Sequence, residues 1–123
     1  NLLFDHGGEM SRSIIAFAIV AASQLTACGP DCQTTCNKLY QSFECGIARP
    51  GMETSDLLQR CMTDCNSAMS KPGLIGDYNP LGDYSNQEVP QLKNDQQAAA
   101  WMDCISNASC QLLETYKTCA PIW

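Results

Sequence analysis

The chain has 123 residues, nine of them cysteine, and a formal net charge of −6 at pH 7. This length is enough for one small domain, and the cysteine content approaches that of exported scaffolds held together by disulfides. Only seven residues are Lys or Arg, which argues against binding to nucleic acid through phosphates and against electrostatic attachment to anionic lipid. We therefore expect no nucleic-acid partner.

The segment from residue 10 to residue 28 reads MSRSIIAFAIVAASQLTAC. Arg12 gives it a basic start, residues 14–22 form an uncharged apolar run that is too short to span a bilayer, and small residues then lead to Cys28. This order is the three-part pattern of an exported signal peptide. A buried core helix is the alternative interpretation of the apolar run, and the order of the three parts disfavours it.

The end of this segment, LTAC at residues 25–28, resembles the lipobox of bacterial lipoproteins. The resemblance implies that a signal peptide over 10–27 is removed and that Cys28 carries a covalent lipid, with residues 28–31 as a short linker. This lipid is the membrane anchor, and no other cofactor and no metal is expected. Gly29 after the cysteine favours the outer membrane over the inner membrane in the best-known sorting rule of such lipoproteins.

Residues 1–9, NLLFDHGGE, fit no part of a signal peptide. We expect them to be an upstream or unstructured extension before a start at Met10. His6 is the single histidine of the chain, so the mature protein would then contain none. Eight cysteines remain after Cys28, and this even number fits a set of four disulfides in the oxidising periplasm.

Two of the cysteine motifs have the same C-x3-C spacing, at residues 32–36 and 61–65. Residues four apart lie on one face of a helix, so two antiparallel helices could be joined twice, by Cys32–Cys65 and Cys36–Cys61. This arrangement resembles the twin C-x3-C helical hairpin of the small mitochondrial import chaperones and related coiled-coil-helix proteins. The resemblance covers residues 32–65 and implies the geometry of a hairpin, not the function of those families.

Apolar periodicity predicts helices around both motifs. The first helix begins after Asp31 as N-cap and ends near Gly46. Its apolar stripe is Cys32, Cys36, Leu39, Tyr40 and Phe43. The second begins with Thr54 or Ser55 as its cap and ends before Pro72. Its stripe is Leu58, Cys61, Met62, Cys65 and Met69.

Two further helical segments follow a long loop. Asn94 with Gln97 three residues later is a capping-box pattern. The buried face of this third helix is predicted to contain Ala98, Trp101, Met102 and Ile105. The last segment has Leu112, Leu113 and Tyr116 as its apolar residues. No segment alternates with a period of two, so residues 32–123 are predicted to form an all-α, disulfide-stapled bundle of three to four helices with a long irregular loop.

Four cysteines outside the paired motifs allow three pairings. We favour Cys104–Cys110 across the break at residues 106–109, together with Cys45–Cys119. Pairing of Cys45 with Cys104 or with Cys110 would serve as well. Cysteines nine apart on a straight helix point to opposite faces, so Cys110 and Cys119 should not bond within one helix.

The loop over residues 72–93 is unusually long for a small domain, and such loops are often functional. Tyr78 and Tyr84 could be recognition residues that contact a partner. Three oxygen-bearing side chains could instead bind a cation: Asp77, Asn79 and Asp83. The simplest interpretation is a connector whose tyrosines lie on the bundle.

The expected function is non-enzymatic. A mature chain without histidine lacks the commonest general base, and four disulfides leave no thiol nucleophile. We predict a membrane-anchored, cysteine-rich lipoprotein that acts as a binding or structural module of the cell envelope, with an envelope protein or cell-wall material as its unknown partner. The alternatives are a periplasmic zinc site of four thiolates and a thiol-disulfide redox protein, although the C-x2-C motif typical of such carriers does not occur in the chain.

Overall fold

The structure is a computed structural model and describes residues 29–82, 84 and 87–123. Within these ranges the chain forms four helices and no strand: α1 (Cys32–Tyr40), α2 (Thr54–Met69), α3 (Asp95–Asn107) and α4 (Cys110–Thr115). The prediction of a small disulfide-stapled helical bundle is confirmed. None of the helices in this part of the chain is long and apolar enough to cross a bilayer. Residues 1–9, the predicted signal peptide over 10–27 and the predicted lipidation site at Cys28 lie outside the described residues.

Helices α1 and α2 form an antiparallel hairpin that is joined twice. Cys32 bonds to Cys65 with 5.7 Å between their Cα atoms, and Cys36 bonds to Cys61 at 5.8 Å. These are the two pairings expected from the C-x3-C spacing. All four sulfur-bearing side chains are buried, and α3 packs against both helices of the hairpin to complete the core.

Helix α1 ends at Tyr40, three residues before Phe43, the last position of its predicted stripe. The amides of Cys45 and Ile47 donate to the carbonyls of Lys38 and Leu39, so the chain turns away from the helix axis after Tyr40. This turn buries Ile47, whereas Phe43 is 80% exposed. The prediction that Phe43 belongs to the core is therefore wrong.

The N-terminal caps of α1 and α3 follow the sequence patterns. The carboxylate of Asp31 accepts from the backbone amide of Thr34 at 2.7 Å, while the Thr34 hydroxyl accepts from the amide of Asp31 at 3.1 Å. The hydrogen bond from the Thr34 amide, followed by one that the Thr34 hydroxyl donates to the carboxylate at 2.9 Å, lowers the pKa of Asp31. At α3, the Asn94 side chain accepts from the amide of Gln97 at 3.0 Å. The Gln97 side chain accepts from the amide of Lys93 at 2.9 Å instead of that of Asn94, so only one half of the predicted capping box forms.

Helix α2 ends before Pro72 as predicted, but its N-cap and its buried face differ from the prediction. Its N-cap position is taken by Glu53, which makes no side-chain hydrogen bond to the helix, so neither Thr54 nor Ser55 is the cap. The buried row on α2 is set by the two disulfides and contains Leu57, Cys61, Cys65 and Ala68. Leu58 packs only at the border of the core and Met69 is exposed, because the face that carries the sulfurs is turned toward α1.

The remaining two disulfides are Cys45–Cys110 and Cys104–Cys119, with Cα atoms 5.1 Å and 5.7 Å apart. The favoured pairings Cys104–Cys110 and Cys45–Cys119 are therefore wrong, and Cys45–Cys110 was one of the alternatives. The reason lies on α3: Trp101 and Cys104 are three residues apart on the face against which residues 119–121 pack. Cys104 therefore meets Cys119, and Cys110 is left to bond to the turn after α1.

Residues 120–123 pass through the protein without regular secondary structure, and their backbone carbonyls accept hydrogen bonds from side chains. Four side chains donate to four consecutive carbonyl oxygens: Tyr78 Oη to Ala120 (2.7 Å), Trp101 Nε1 to Pro121 (2.9 Å), Arg49 Nη2 to Ile122 (2.8 Å) and Tyr40 Oη to Trp123 (3.1 Å). Tyr40 Oη also accepts from the Trp123 amide at 2.9 Å. We call this set the carbonyl clamp.

One lysine provides hydrogen bonds to the backbone carbonyls at the C-terminal end of α3. Lys38 Nζ, from α1, donates to the carbonyls of Ile105 (2.7 Å), Ser106 (3.1 Å) and Ala108 (2.8 Å). A helix end leaves such carbonyls without partners inside the helix, and the helix dipole favours a positive charge there. Lys38 therefore fixes the end of α3 against α1.

Replacing this lysine should lower the stability of the oxidised protein. We expect Lys38→Met to reduce the free energy of unfolding by about 2 kcal/mol, because charge-assisted hydrogen bonds to three carbonyls are lost. Urea unfolding with the disulfides intact measures the change. Lys71→Met, at an exposed side chain, is the control and should change stability by less than about 0.5 kcal/mol. Equal effects of the two substitutions would contradict the role given to Lys38.

The two tyrosines of the carbonyl clamp should make the protein sensitive to alkaline pH. Burial raises the pKa of Tyr40 to about 12, although the hydrogen bond to Trp123 opposes this shift, and burial also raises the pKa of Tyr78. In the unfolded chain both phenols lose their protons near pH 10. The contribution of these two tyrosines to the free energy of unfolding should therefore be constant below about pH 9 and fall as the pH rises from 10 toward 12.

Thermal unfolding across this pH range checks the expectation. The double variant Tyr40→Phe/Tyr78→Phe should be less stable at pH 7, because two carbonyls lose their donors, but its stability should change less between pH 9 and 11. Tyr116→Phe, at an exposed tyrosine, should keep the wild-type pH dependence. An unchanged slope in the double variant would show that other groups cause the alkaline loss.

Candidate functional site

A mostly apolar groove lies between α3, α4 and the tip of the long loop. Its volume is about 420 Å³, which is within the usual size range of ligand sites. The residues that shape it are Leu81, Ala100, Asp103, Cys104, Leu112 and Thr118. We call it the α3–α4 groove.

Two leucines border this groove and are open to solvent. Leu81, at the tip of the loop, is 72% exposed, and Leu112 in α4 is 43% exposed. Neighbouring exposed apolar side chains that share a groove are typical of contact sites, whereas isolated ones are ordinary. The sequence prediction placed Leu112 on the apolar stripe of the last helix, but in the short helix α4 only Leu113 reaches the core.

The walls of the α3–α4 groove are covalently fixed. Cys104 on its α3 side bonds to Cys119, and Cys110 at the start of α4 bonds to Cys45. The loop tip is held as well, because the amide of Cys119 donates to the carbonyl of Pro80 at 2.9 Å. The groove is therefore preformed and does not require a partner to assemble it.

The backbone beside the groove is held in an uncommon conformation. Lys117 and Cys119 flank Thr118 and have φ angles of +50° and +66°, in the left-handed region that residues other than glycine seldom adopt. The amide of Thr118 donates to the carbonyl of Leu112 at 3.2 Å, and Cys119 is held by its disulfide. Such conformations cost free energy and are concentrated at functional sites.

A second cleft, of about 440 Å³, lies between the long loop and the residues from the end of α4 onward. Tyr84 and Val89 from the loop face Tyr116 and Lys117, which follow α4. Tyr116 was predicted on the apolar stripe of the last helix and is instead exposed. The Tyr84 hydroxyl donates to the carbonyl of Asn79 at 2.8 Å.

The two tyrosines that the sequence suggested as recognition residues both line a further, polar cleft of about 620 Å³ beside the long loop, but their other contacts differ. Tyr84 lies on the wall of the second cleft, where its ring could contact a ligand. Tyr78 is half-buried against the core, and its hydroxyl donates to the carbonyl of Ala120. Tyr78 therefore acts as the connector interpretation expected, and its hydroxyl is engaged within the fold.

The residues that sequence reasoning missed are Leu81 and Leu112. The sequence did contain a signal that Leu81 is an exposed contact residue. It is an apolar residue between Pro80 and Gly82 in a polar loop, where no core position is expected. Leu112 had no such sign, since the pair of leucines at 112 and 113 reads as a core face until the length of α4 is known.

The cysteines of the described ranges offer no thiolate. All eight are in disulfides, so the two C-x3-C motifs cannot supply zinc ligands in this state. Within the same ranges no group of three or more His, Cys, Asp or Glu side chains is placed to hold a metal ion. Of the three oxygen-bearing loop residues considered as cation ligands, Asp83 lies outside the described residues.

The surface is more acidic than the count of charges suggests. Of the 13 acidic and seven basic residues, two acidic and one basic lie before residue 28, so the rest of the chain has a net charge of −5. Two of its cations, Lys38 and Arg49, are engaged by backbone carbonyls. A third cation, Arg60, forms an ion pair with Asp64, with 3.9 Å between Arg60 Nε and Asp64 Oδ2. Asp103 is the one charged side chain among the lining residues of the α3–α4 groove.

No known protein family matches the chain, and comparisons with curated proteins and with solved structures give no match either.

The four disulfides should differ in their resistance to reduction. Cys110 is exposed and Cys45 is half-buried, whereas every other disulfide has at least one fully buried cysteine. Thiol attack requires access to a sulfur atom, so we expect Cys45–Cys110 to be reduced first. Partial reduction of the folded protein followed by alkylation and peptide mass spectrometry checks this. Earlier labelling of Cys36 and Cys61, the fully buried pair, would contradict the expected order.

Proposed function

We propose that this chain is a membrane-anchored, cysteine-rich lipoprotein that acts as a non-enzymatic binding module of the bacterial cell envelope and presents the α3–α4 groove to a partner. The observation that carries the proposal is this groove, which is apolar, open and bounded by two disulfides. A preformed concave site with few polar groups is the usual form of a binding site, and a fixed shape lowers the entropy cost of binding.

The cysteine arrangement supports an exported location. Disulfides persist in the periplasm and are rare in the cytosol, and eight of the nine cysteines are paired. The ninth, Cys28, occupies the lipidation position of the LTAC sequence. A lipobox cysteine that stands apart from an even set of paired cysteines is what an anchored disulfide domain needs.

The position of the first helix supports action close to the membrane. Only Gly29, Pro30 and Asp31 separate Cys28 from α1, and three extended residues reach about 10 Å. A lipid on Cys28 would therefore hold the bundle near the bilayer surface. Partners within reach are envelope proteins and cell-wall material beside that membrane.

Intact mass of protein purified from membranes tests the anchor. We expect a chain that begins at Cys28 and carries acyl chains, with eight alkylations that appear only after reduction. Cys28→Ala should leave the protein without lipid and release it from the membrane fraction. Retention of residues 10–27, or alkylation without reduction, would contradict the proposal and favour metal or redox chemistry.

Photo-crosslinking in the bacterium that encodes the chain tests the binding role. A photoreactive amino acid at Leu81 or Leu112 should crosslink the same envelope component at both positions. The same amino acid at Gln59, an exposed position of α2, should not. Identical crosslinks from all three positions, or none from the two groove positions, would count against a partner bound at the groove.

A further inference from the structure

We propose that the partner of the α3–α4 groove is a basic protein segment, which inserts an aliphatic side chain between Leu81 and Leu112 and pairs an adjacent Lys or Arg with Asp103. This inference rests on the proposed binding function and specifies the chemistry of the partner.

The apolar part of the recognition follows from the groove itself. Its volume of about 420 Å³ has room for one or two aliphatic side chains, and two exposed leucines, Leu81 and Leu112, line it. Ala100 and Cys104 lie one helical turn apart along α3 and both line the groove. These small side chains leave space beside α3 for an incoming apolar group, which gains the free energy of burial from the apolar residues around it.

The charged part of the recognition follows from Asp103. Its side chain is exposed and lines the groove, and among the described residues its carboxylate accepts one hydrogen bond, a long one of 3.4 Å from Asn107 Nδ2. No lysine or arginine lies within ion-pair distance of it among the described residues. A cation beside the apolar group of the partner would therefore meet a carboxylate that has no competing cation.

The charge of the whole domain selects among possible occupants. A second copy of this chain has the same excess of negative charge, and like-charged surfaces disfavour association. Anionic lipid headgroups and nucleic acid phosphates are repelled for the same reason. A basic protein segment is instead attracted to the acidic surface at long range and oriented by Asp103 at short range, so it is the occupant that fits both features.

Selection of random heptapeptides displayed on phage, against the oxidised protein purified from membranes, tests the proposal. Selected peptides should combine an aliphatic residue with a nearby Lys or Arg. Asp103→Asn should weaken their binding about two- to fivefold, as expected for an exposed ion pair, and Asp103→Lys should weaken it further. Leu112→Ser should weaken it about tenfold through the lost apolar contact.

The matched control is Glu114→Gln on α4. It removes the same charge as Asp103→Asn from an exposed position that does not line the groove, and it should leave peptide binding unchanged. Circular dichroism and the count of alkylatable thiols verify that each variant is folded and oxidised.

Three results would overturn the proposal: no enriched peptide, enrichment of peptides without basic residues, and binding that Leu112→Ser and Asp103→Lys leave intact. If the photo-crosslinks at Leu81 and Leu112 are still found, the binding function stands and only the assigned partner chemistry fails. If both experiments fail, the groove is not a binding site.

Discussion

The carbonyls of residues 120–123 have to be satisfied by side chains, because this segment crosses the interior without the hydrogen bonds of a helix or a strand. A buried peptide group without a partner costs free energy comparable to a lost hydrogen bond. The four donors come from α1, the segment after it, the long loop and α3. Each of these parts has to be in place before all four hydrogen bonds can form, so the carbonyl clamp couples α1, the segment after it, the long loop and α3 to the end of the described chain.

The donors in the carbonyl clamp also fill the core. Tyr40 and Trp101 are fully buried, and each supplies a large apolar surface together with one polar group that needs a partner. Residues 120–123 supply these partners. The same hydrogen bonds therefore give partners both to the backbone carbonyls of an irregular segment and to the polar groups of buried aromatic side chains.

The parts of the fold that the sequence could predict are those that depend on local spacing. Cysteines four apart specify a helical face, so the pairing of the α1–α2 hairpin follows once two such faces meet. The caps at Asp31 and Asn94 are local for the same reason. The pairing of Cys104 with Cys119 depends instead on where residues 119–121 pack on α3, and this is decided by Trp101 and its hydrogen bond to a carbonyl 20 positions away.

The candidate site shows the same division between local and long-range information. Tyr78 and Tyr84 drew attention as aromatic residues in a long loop, but the role of Tyr78 depends on the distant carbonyl of Ala120, which no local pattern reveals. The α3–α4 groove is built from three separate parts of the chain, and its walls are fixed by the two disulfides that sequence spacing did not predict correctly. The error about the disulfides and the failure to find the groove therefore have one cause, the unknown packing of residues 117–123 against α3.

The proposed anchor and the proposed partner place opposing demands on the surface charge. A basic segment near an anionic bilayer is attracted to the lipid headgroups as well as to the acidic bundle, so long-range charge alone would not hold it on the protein. The α3–α4 groove offers what a flat layer of headgroups does not, an apolar recess beside a single carboxylate. Selectivity for the protein over the membrane would then come from Leu81 and Leu112, while Asp103 and the acidic surface would mainly set the rate and the orientation of approach.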